Sequence, residues 1–248
     1  MNVLGIIPAR YGSSRLEGKP LMDIAGKPMI QHVYEQARKA LSYVLVATGD
    51  ERILKAVEDF GGNAVMTSAK HSTGTNRCLE AYEVFSAQSD LNFDVVVNIQ
   101  GDEPLLAPEQ IRLLLSCFED PATEMATLVI PVKTGEALNS AVYVVMDKFK
   151  NALYFSRSVI PFVRDVEKDA WSTNHTFFRH IGMYAFKPKA LREFASLGQT
   201  SLELAESLEQ NRWLENGRKI KVEITTIETQ AVDTLEDLEK VRRIIARQ

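Results

Sequence analysis

The chain has 248 residues, 45% of them hydrophobic, and a formal net charge of −4. That length suits one sizeable core, and the mixed, slightly acidic charge excludes a global basic field for nucleic acid or an anionic membrane. No stretch approaches the run of about eighteen apolar residues that a membrane span needs. Met1-Asn2-Val3 leads into a strand with no cationic leader, so one cytoplasmic domain over residues 1–248 is expected.

Val3-Leu4-Gly5-Ile6-Ile7 is the first predicted strand, and it delivers the loop Pro8-Ala9-Arg10-Tyr11-Gly12-Ser13-Ser14-Arg15-Leu16-Glu17-Gly18-Lys19-Pro20 to the C-terminal edge of a sheet. Three cations, Arg10, Arg15 and Lys19, alternate there with small residues. Small residues let the backbone approach an anion, while guanidinium and ammonium groups neutralise spread phosphate charge, so the loop reads as a polyphosphate cradle. A basic surface loop is the plainer reading. The P-loop and G-x-G-x-x-G spacings are both absent.

Pro28 is expected at the first position of a helix whose apolar stripe is Met29, Ile30, Val33, Ala37 and Leu41. His32 lies beside that stripe and reads as solvated or capped. Strand Val44–Ala47 is followed by a helix capped by Asp50, with Ile53, Leu54, Val57 and Phe60 inward, and by the short strand Ala64–Met66. Strands and helices alternating in this way predict right-handed crossovers and a parallel, doubly wound sheet. The loop from His71 to Arg77 then opens a helix with Leu79, Tyr82 and Phe85 on one side. Its hydroxyls, glycine and helix start suit a second nucleotide contact at Thr73 and Gly74, or simply a cap.

Phe93–Ile99 reads as a central strand running into Gln100-Gly101-Asp102-Glu103-Pro104. A carboxylate just past such a strand lies where open α/β sheets bind ligands, which makes Asp102 the first candidate metal ligand; a self-satisfied turn aspartate is the alternative. Pro108 begins a further helix, and strands follow at Met125–Ile130 and Val142–Met146. Val163–Thr176 reads as a long polar loop, a lid or a dimer contact. A strand begins at His180, one long helix covers Ser201–Gly217, a strand covers Lys219–Ile227, and Thr234 with Asp237 forms a capping box for the last helix. Cys78 and Cys117 sit on apolar helical patterns and read as reduced core thiols. His32, His71, His175 and His180 have no zinc-ligand spacing.

The segments Ile-Pro-Ala-Arg-Tyr-Gly-Ser-Ser-Arg with Gly-Lys-Pro, Thr-Gly-Thr-Asn-Arg, Val-Asn-Ile-Gln-Gly-Asp-Glu-Pro, Ala-Leu-Tyr-Phe-Ser-Arg, Arg-His-Ile-Gly-Met-Tyr, Glu-Ser-Leu-Glu-Gln-Asn-Arg and Val-Asp-Thr-Leu-Glu-Asp resemble, in order from about residue 3 to 243, those of the CMP-Kdo synthetases (3-deoxy-manno-octulosonate cytidylyltransferases). The resemblance implies an α/β nucleotidyltransferase-type fold, a doubly wound mixed sheet flanked by helices, with a dimerisation excursion that makes a homodimer. It implies the reaction of CTP with Kdo to give CMP-Kdo and pyrophosphate for lipopolysaccharide synthesis, with Mg2+ as cofactor. It places Ala9, Arg10, Arg15, Lys19, Thr73, Gly74 and Gln100 on the nucleotide, with Arg10, Lys19 and Asp102 catalytic. Asp102 and Asp233 fall to the metal, and Gln100, Arg157, His180, Glu209 and Gln210 to the sugar acid.

Glu17, Gly49, Asn76, Tyr143, Asn211 and Ala231 depart from the family pattern. Glu17 puts an anion inside the phosphate loop, which weakens triphosphate binding unless a cation offsets it. These departures leave two alternatives in view: a cytidylyltransferase for another ulosonic acid, and a non-catalytic nucleotide-binding relative.

Overall fold

The computed structural model describes residues 1–12, 16–71, 73–89, 91–138 and 141–247. Its elements begin with β1 (Val3–Ala9), the two-residue strands β2 (Asp23–Ile24) and β3 (Lys27–Pro28), α1 (Met29–Arg38), β4 (Tyr43–Thr48), α2 (Glu51–Asp59), β5 (Ala64–Met66), α3 (Gly74–Gln88), β6 (Val95–Asn98) and α4 (Pro108–Ser116). They continue through β7 (Met125–Pro131), β8 (Tyr143–Met146), β9 (Ala152–Ser156), α5 (Trp171–Asn174), β10 (Phe178–Phe186) and α6 (Pro188–Ser196). The chain closes with α7 (Ser201–Glu206), α8 (Gln210–Glu215), β11 (Lys221–Ile224) and α9 (Leu235–Ile245). Among the described residues no helix is long and apolar enough to cross a membrane. The chain forms two compact units: Met1–Arg112 with Phe186–Ala195 and Thr229–Gln248, and Leu113–Ala185 with Ser196–Glu228.

In the first unit the strands run in the order β6-β1-β4-β5, all parallel. Leu4, Ile6, Ile7, Val44–Ala47 and Val95–Val97 are buried, as expected for a parallel sheet covered by helices. Gly5 sits where an added Cβ would come within 2.6 Å of Leu41 Cδ1, so a side chain here would require Leu41 to shift. The buried positions of α3 are Thr75, Arg77, Cys78, Ala81 and Tyr82; Leu79 and Phe85 are only half-buried. Tyr82 is thus buried as expected, while the other buried positions fall elsewhere than at Leu79 and Phe85. Pro28 is the N-cap of α1, with extended backbone, and pairs with Asp23 across the β2–β3 hairpin. It therefore precedes the helix and does not occupy its first turn. Leu16, Ile24, Met29, Val232, Leu238 and Val241 form one apolar cluster, which docks α9 beside the loop after β1.

The second unit orders its strands β11-β7-β10, with β8 on β10 and β9 on β8. The β11–β7 pair is parallel and the β10–β8 and β8–β9 pairs are antiparallel, so this sheet is mixed. Tyr143 is a fully buried ring set edge-on to Phe177; it is a packing residue. Residues 163–176 include a short helical turn and α5, pinned by the buried Trp171, whose indole N–H donates to Val166 O at 2.9 Å. The stretch is less irregular than its composition suggests.

The single helix expected over Ser201–Gly217 is broken. Ser207 adopts the left-handed conformation, φ 51° and ψ 46°, and separates α7 from α8. Tertiary bonds account for the break: Glu206 accepts Ser156 Oγ at 2.7 Å, Arg157 N at 2.9 Å and Tyr154 Oη at 3.1 Å, tying the end of α7 to β9. Asn211, on α8, accepts Phe155 N at 3.3 Å and donates to Phe155 O at 3.0 Å. Its amide thus serves the backbone of β9 as a neighbouring strand would, which an apolar side chain could not do. Cys78 and Cys117 are both buried thiols, not joined in a disulfide.

Candidate active site

At the C-terminal ends of β1 and β6 the first unit holds a cleft of about 310 Å³. Pro8, Ala9 and Arg10 line it from β1, Gln100, Gly101 and Asp102 from the segment after β6, Thr73, Gly74 and Arg77 from the start of α3, and Lys19 and Asp233 from their own loops. The strand ends are brought this close by Gly101, where a Cβ would lie 3.0 Å from Pro8 O. Arg10 is exposed and Ala9 buried. Arg15 lies outside the described residues. All the other residues expected at the nucleotide or the metal meet in this one cleft.

Lys19 is its electrostatic centre. Gly18, at φ 69°, turns the chain into the short helical turn that carries Lys19. Lys19 Nζ donates to Asp102 Oδ2 at 2.8 Å, to Val232 O at 2.9 Å and to Asp233 Oδ1 at 3.4 Å. Three acceptors match the three N–H bonds of an ammonium. A backbone bond from Val232 N to Asp102 O, 2.9 Å, fixes the two acidic segments to each other. Two carboxylates converging on one cation form the oxygen donor set that a hard divalent ion prefers, and the ammonium already fills that role with a single charge.

One wall of the cleft is built by a helix start. Thr73 caps α3 by accepting Asn76 N at 3.2 Å, so Asn76 takes part in the cap through its backbone. The 15-residue α3 presents its N-terminus at Gly74, where free amides and the helix dipole favour anions. A Cβ at Gly74 would lie 3.4 Å from Pro8 Cγ.

Three groups here were not singled out from sequence. Arg77 is buried, donates to Thr67 Oγ1 at 2.6 Å and Ser68 O at 3.2 Å, and lines the cleft. Burial pulls its guanidinium below the usual arginine range. His71, also on the wall, is held by Glu80, which takes Ser68 N as well, at 2.9 Å. Burial would raise the Glu80 carboxyl, but these two donors outweigh it and hold it below its ordinary value. Glu103 is pushed up to about 7 by burial, against the Thr229 hydroxyl's bond of 3.0 Å and with the neighbouring Asp102 charge adding to the rise. The signal for Arg77 lay in its place in the first turn of α3, inside the Thr-Gly-Thr-Asn-Arg segment.

The second unit gathers the other expected residues around Phe155. Its ring lies 5.2 Å from that of His180, and its backbone is held by Asn211, next to Gln210. His180 Nε2 is 2.9 Å from Thr127 Oγ1, and burial lowers its imidazole to about 3. Arg157 is exposed, with Nε donating to Glu206 O at 2.7 Å and Nη2 to Ser207 O at 3.3 Å. It therefore caps the broken helix end. Gln210 is buried and Glu209 half-buried.

The profile of a family described as cytidylyltransferase matches residues 4–220 of this chain. A 3-deoxy-manno-octulosonate cytidylyltransferase from Parabacteroides distasonis is 51% identical, covering 99% of this chain and 99% of its own. An 8-amino-3,8-dideoxy-manno-octulosonate cytidylyltransferase from Shewanella piezotolerans is 48% identical, covering 96% of each chain. Among solved structures, CMP:2-keto-3-deoxy-manno-octonic acid synthetase complexed with CTP aligns with a TM-score of 0.90 at 41% identity, covering 100% of this chain and 99% of that one.

Proposed function

The chain belongs to the cytidylyltransferase family, and from that membership we propose that it joins CTP to 3-deoxy-manno-octulosonate (Kdo), giving CMP-Kdo and pyrophosphate. This is the activation that precedes transfer of Kdo into lipopolysaccharide. The anomeric hydroxyl oxygen attacks the α-phosphorus in line, the bond from that phosphorus to the oxygen bridging the β-phosphate breaks, and the hydroxyl proton is released. No covalent enzyme intermediate is needed, so the protein's task is positioning and charge neutralisation.

The convergence of Asp102 and Asp233 on Lys19 beside the start of α3 is the observation that carries the reading. Arg10, Arg15 and Lys19 supply cations to the triphosphate, and the amides at Gly74 face its anionic side, with Ala9, Thr73 and Gln100 completing the nucleotide contacts. Asp102 and Asp233 would hold Mg2+, which when bound neutralises phosphate charge. Gln100, Arg157, His180, Glu209 and Gln210 would hold the sugar acid. The fork of Arg157 suits its carboxylate, and the neutral imidazole of His180 suits a hydroxyl. Residues 1–248 would act as one catalytic domain, in a cytoplasmic homodimer.

Pyrophosphate release by the purified protein tests this, with Mg2+, CTP and Kdo supplied together and each omitted in turn. Release that requires all three supports the proposal. Because one close relative is named for the 8-amino acid, the same assay with that acid forms the second arm. Faster turnover there would reassign the sugar acid and leave the chemistry intact. CTP binding without release on either acid would leave only the non-catalytic alternative.

A further inference from the structure

Glu17 is an anion in a loop otherwise built for anions, and α2 presents the counter-charge. Arg52, the second residue of that helix, is held by the helix's own cap. Asp50 accepts Arg52 N and Nε at 3.0 Å each through Oδ1, and Nη2 at 2.7 Å through Oδ2. This fork fixes the guanidinium, whose central carbon lies 3.3 Å from the centroid of the Tyr11 ring. The same ring meets Gly18, where an added Cβ would come within 3.1 Å of Tyr11 Cζ. Tyr11 O also accepts Gly18 N at 2.9 Å. Tyr11 thus packs with both the glycine that precedes Lys19 and the arginine on α2.

We infer that Arg52 is a positioning residue for the nucleotide: stacked on Tyr11, it sets the Tyr11–Gly18 contact from which Lys19 projects, and it offsets the charge of Glu17 beside the cleft. The inference rests on the reading of that cleft as a CTP site. The Arg52 guanidinium holds its proton more tightly than usual, first because of Asp50 and further through Tyr11 and Glu17, so the field of Glu17 reaches it. Among the described residues Arg52 makes its hydrogen bonds to Asp50; it acts on the cleft through Tyr11 and through charge. The arrangement also accounts for a chain that carries an acid in its phosphate loop.

The test is CTP binding by calorimetry with Mg2+ present, together with steady-state kinetics, for the wild type, Arg52→Met, Arg52→Lys, Glu17→Gln and the Arg52→Met/Glu17→Gln pair. Thermal melting shows that each variant folds. Arg52→Met is expected to raise both the Kd and the KM for CTP about fivefold, the size of an exposed cation–π contact plus a screened charge pair. Its kcat and its KM for the sugar acid stay within about twofold of wild type. Arg52→Lys, which keeps the charge without the planar stack, recovers part of the loss, and Glu17→Gln in the Arg52→Met background recovers at least half. A Kd for Arg52→Met within twofold of wild type, or the same loss with and without Glu17, overturns the inference. Failure of the wild-type protein to bind CTP overturns the nucleotide reading itself, and this inference with it.

Discussion

Lys19 Nζ lies 2.8 Å from Asp102 Oδ2, with side chains only 15% and 31% exposed, and the same ammonium reaches Asp233 at 3.4 Å. The lysine drawn from the phosphate loop and the carboxylate drawn from the end of β6 therefore form one unit before any substrate arrives. Asp102→Asn should leave the ammonium one charged partner short and lower kcat/KM by about 10²–10³-fold or more, the scale of removing one preorganised electrostatic contact. Near-normal turnover would remove Asp102 from the reaction.

The same pair predicts a competition. Lys19 occupies the oxygens that a divalent ion would use, so Lys19→Met should bind Mn2+ more tightly than wild type in the absence of nucleotide. Electron paramagnetic resonance of free Mn2+ reads this directly. Equal affinities would show that the ammonium does not compete for the site.

Gly49, one of the departures from the family pattern, sits in a tightly closed position. A Cβ there would lie 2.8 Å from Ala69 Cα and 2.9 Å from Ala69 N, both backbone atoms that cannot turn aside. Asp50, one position along, caps α2. Gly49→Asp is therefore expected to cost roughly 1–3 kcal/mol by overpacking, read as a lower thermal midpoint. An unchanged midpoint would mean that the segment around Ala69 yields freely.

Asn211→Leu, which replaces the amide with an apolar side chain, should also destabilise. It would leave the backbone N–H and C=O of Phe155 without the side-chain partners that now meet them at 3.3 and 3.0 Å. Two buried groups losing their bonds amounts to about 2–4 kcal/mol. Urea unfolding measures this, and a leucine variant as stable as wild type would contradict it.

Burial lowers His180 from 6.5 to about 3 in the folded chain, whereas the unfolded chain titrates near 6.5. The unfolded state thus takes the proton first. The contribution is complete above about pH 6.5 and is lost as pH falls toward 3, with about 2–3 kcal/mol gone between pH 6.5 and 4.5. His180→Gln should show a shallower loss of stability over that interval than wild type. Identical slopes would contradict a buried neutral imidazole.

What sequence could read followed from how local each signal was. The strand before the phosphate loop, the Asp50 cap and the Thr234–Asp237 capping box are set by neighbouring residues, and the structure has all three. Asp102 was legible because a central strand runs straight into it. Asp233 was not legible from spacing, since its partner is more than two hundred residues away and α9 must dock before they meet; the family likeness supplied it. The break at Ser207 escaped because its cause is Glu206 bonding to β9, about fifty residues earlier. The face of α3 was legible only in part: Tyr82 is buried as expected, but Leu79 and Phe85 are half-buried while the packing also uses Thr75, Arg77, Cys78 and Ala81. Arg52 was hidden for a similar reason: on α2 it reads as one more surface arginine, and only the fold sets it over Tyr11.

The central claim is transfer of the cytidylyl group to the sugar acid, and the most direct measurement follows the α-phosphorus. CTP labelled with 32P at the α position is incubated with the protein, Mg2+ and Kdo, and the label is traced alongside pyrophosphate. The account predicts label in a sugar nucleotide formed one for one with pyrophosphate, and none without Kdo. Label that stays in CTP, or appears only as free CMP regardless of the acid, would contradict it.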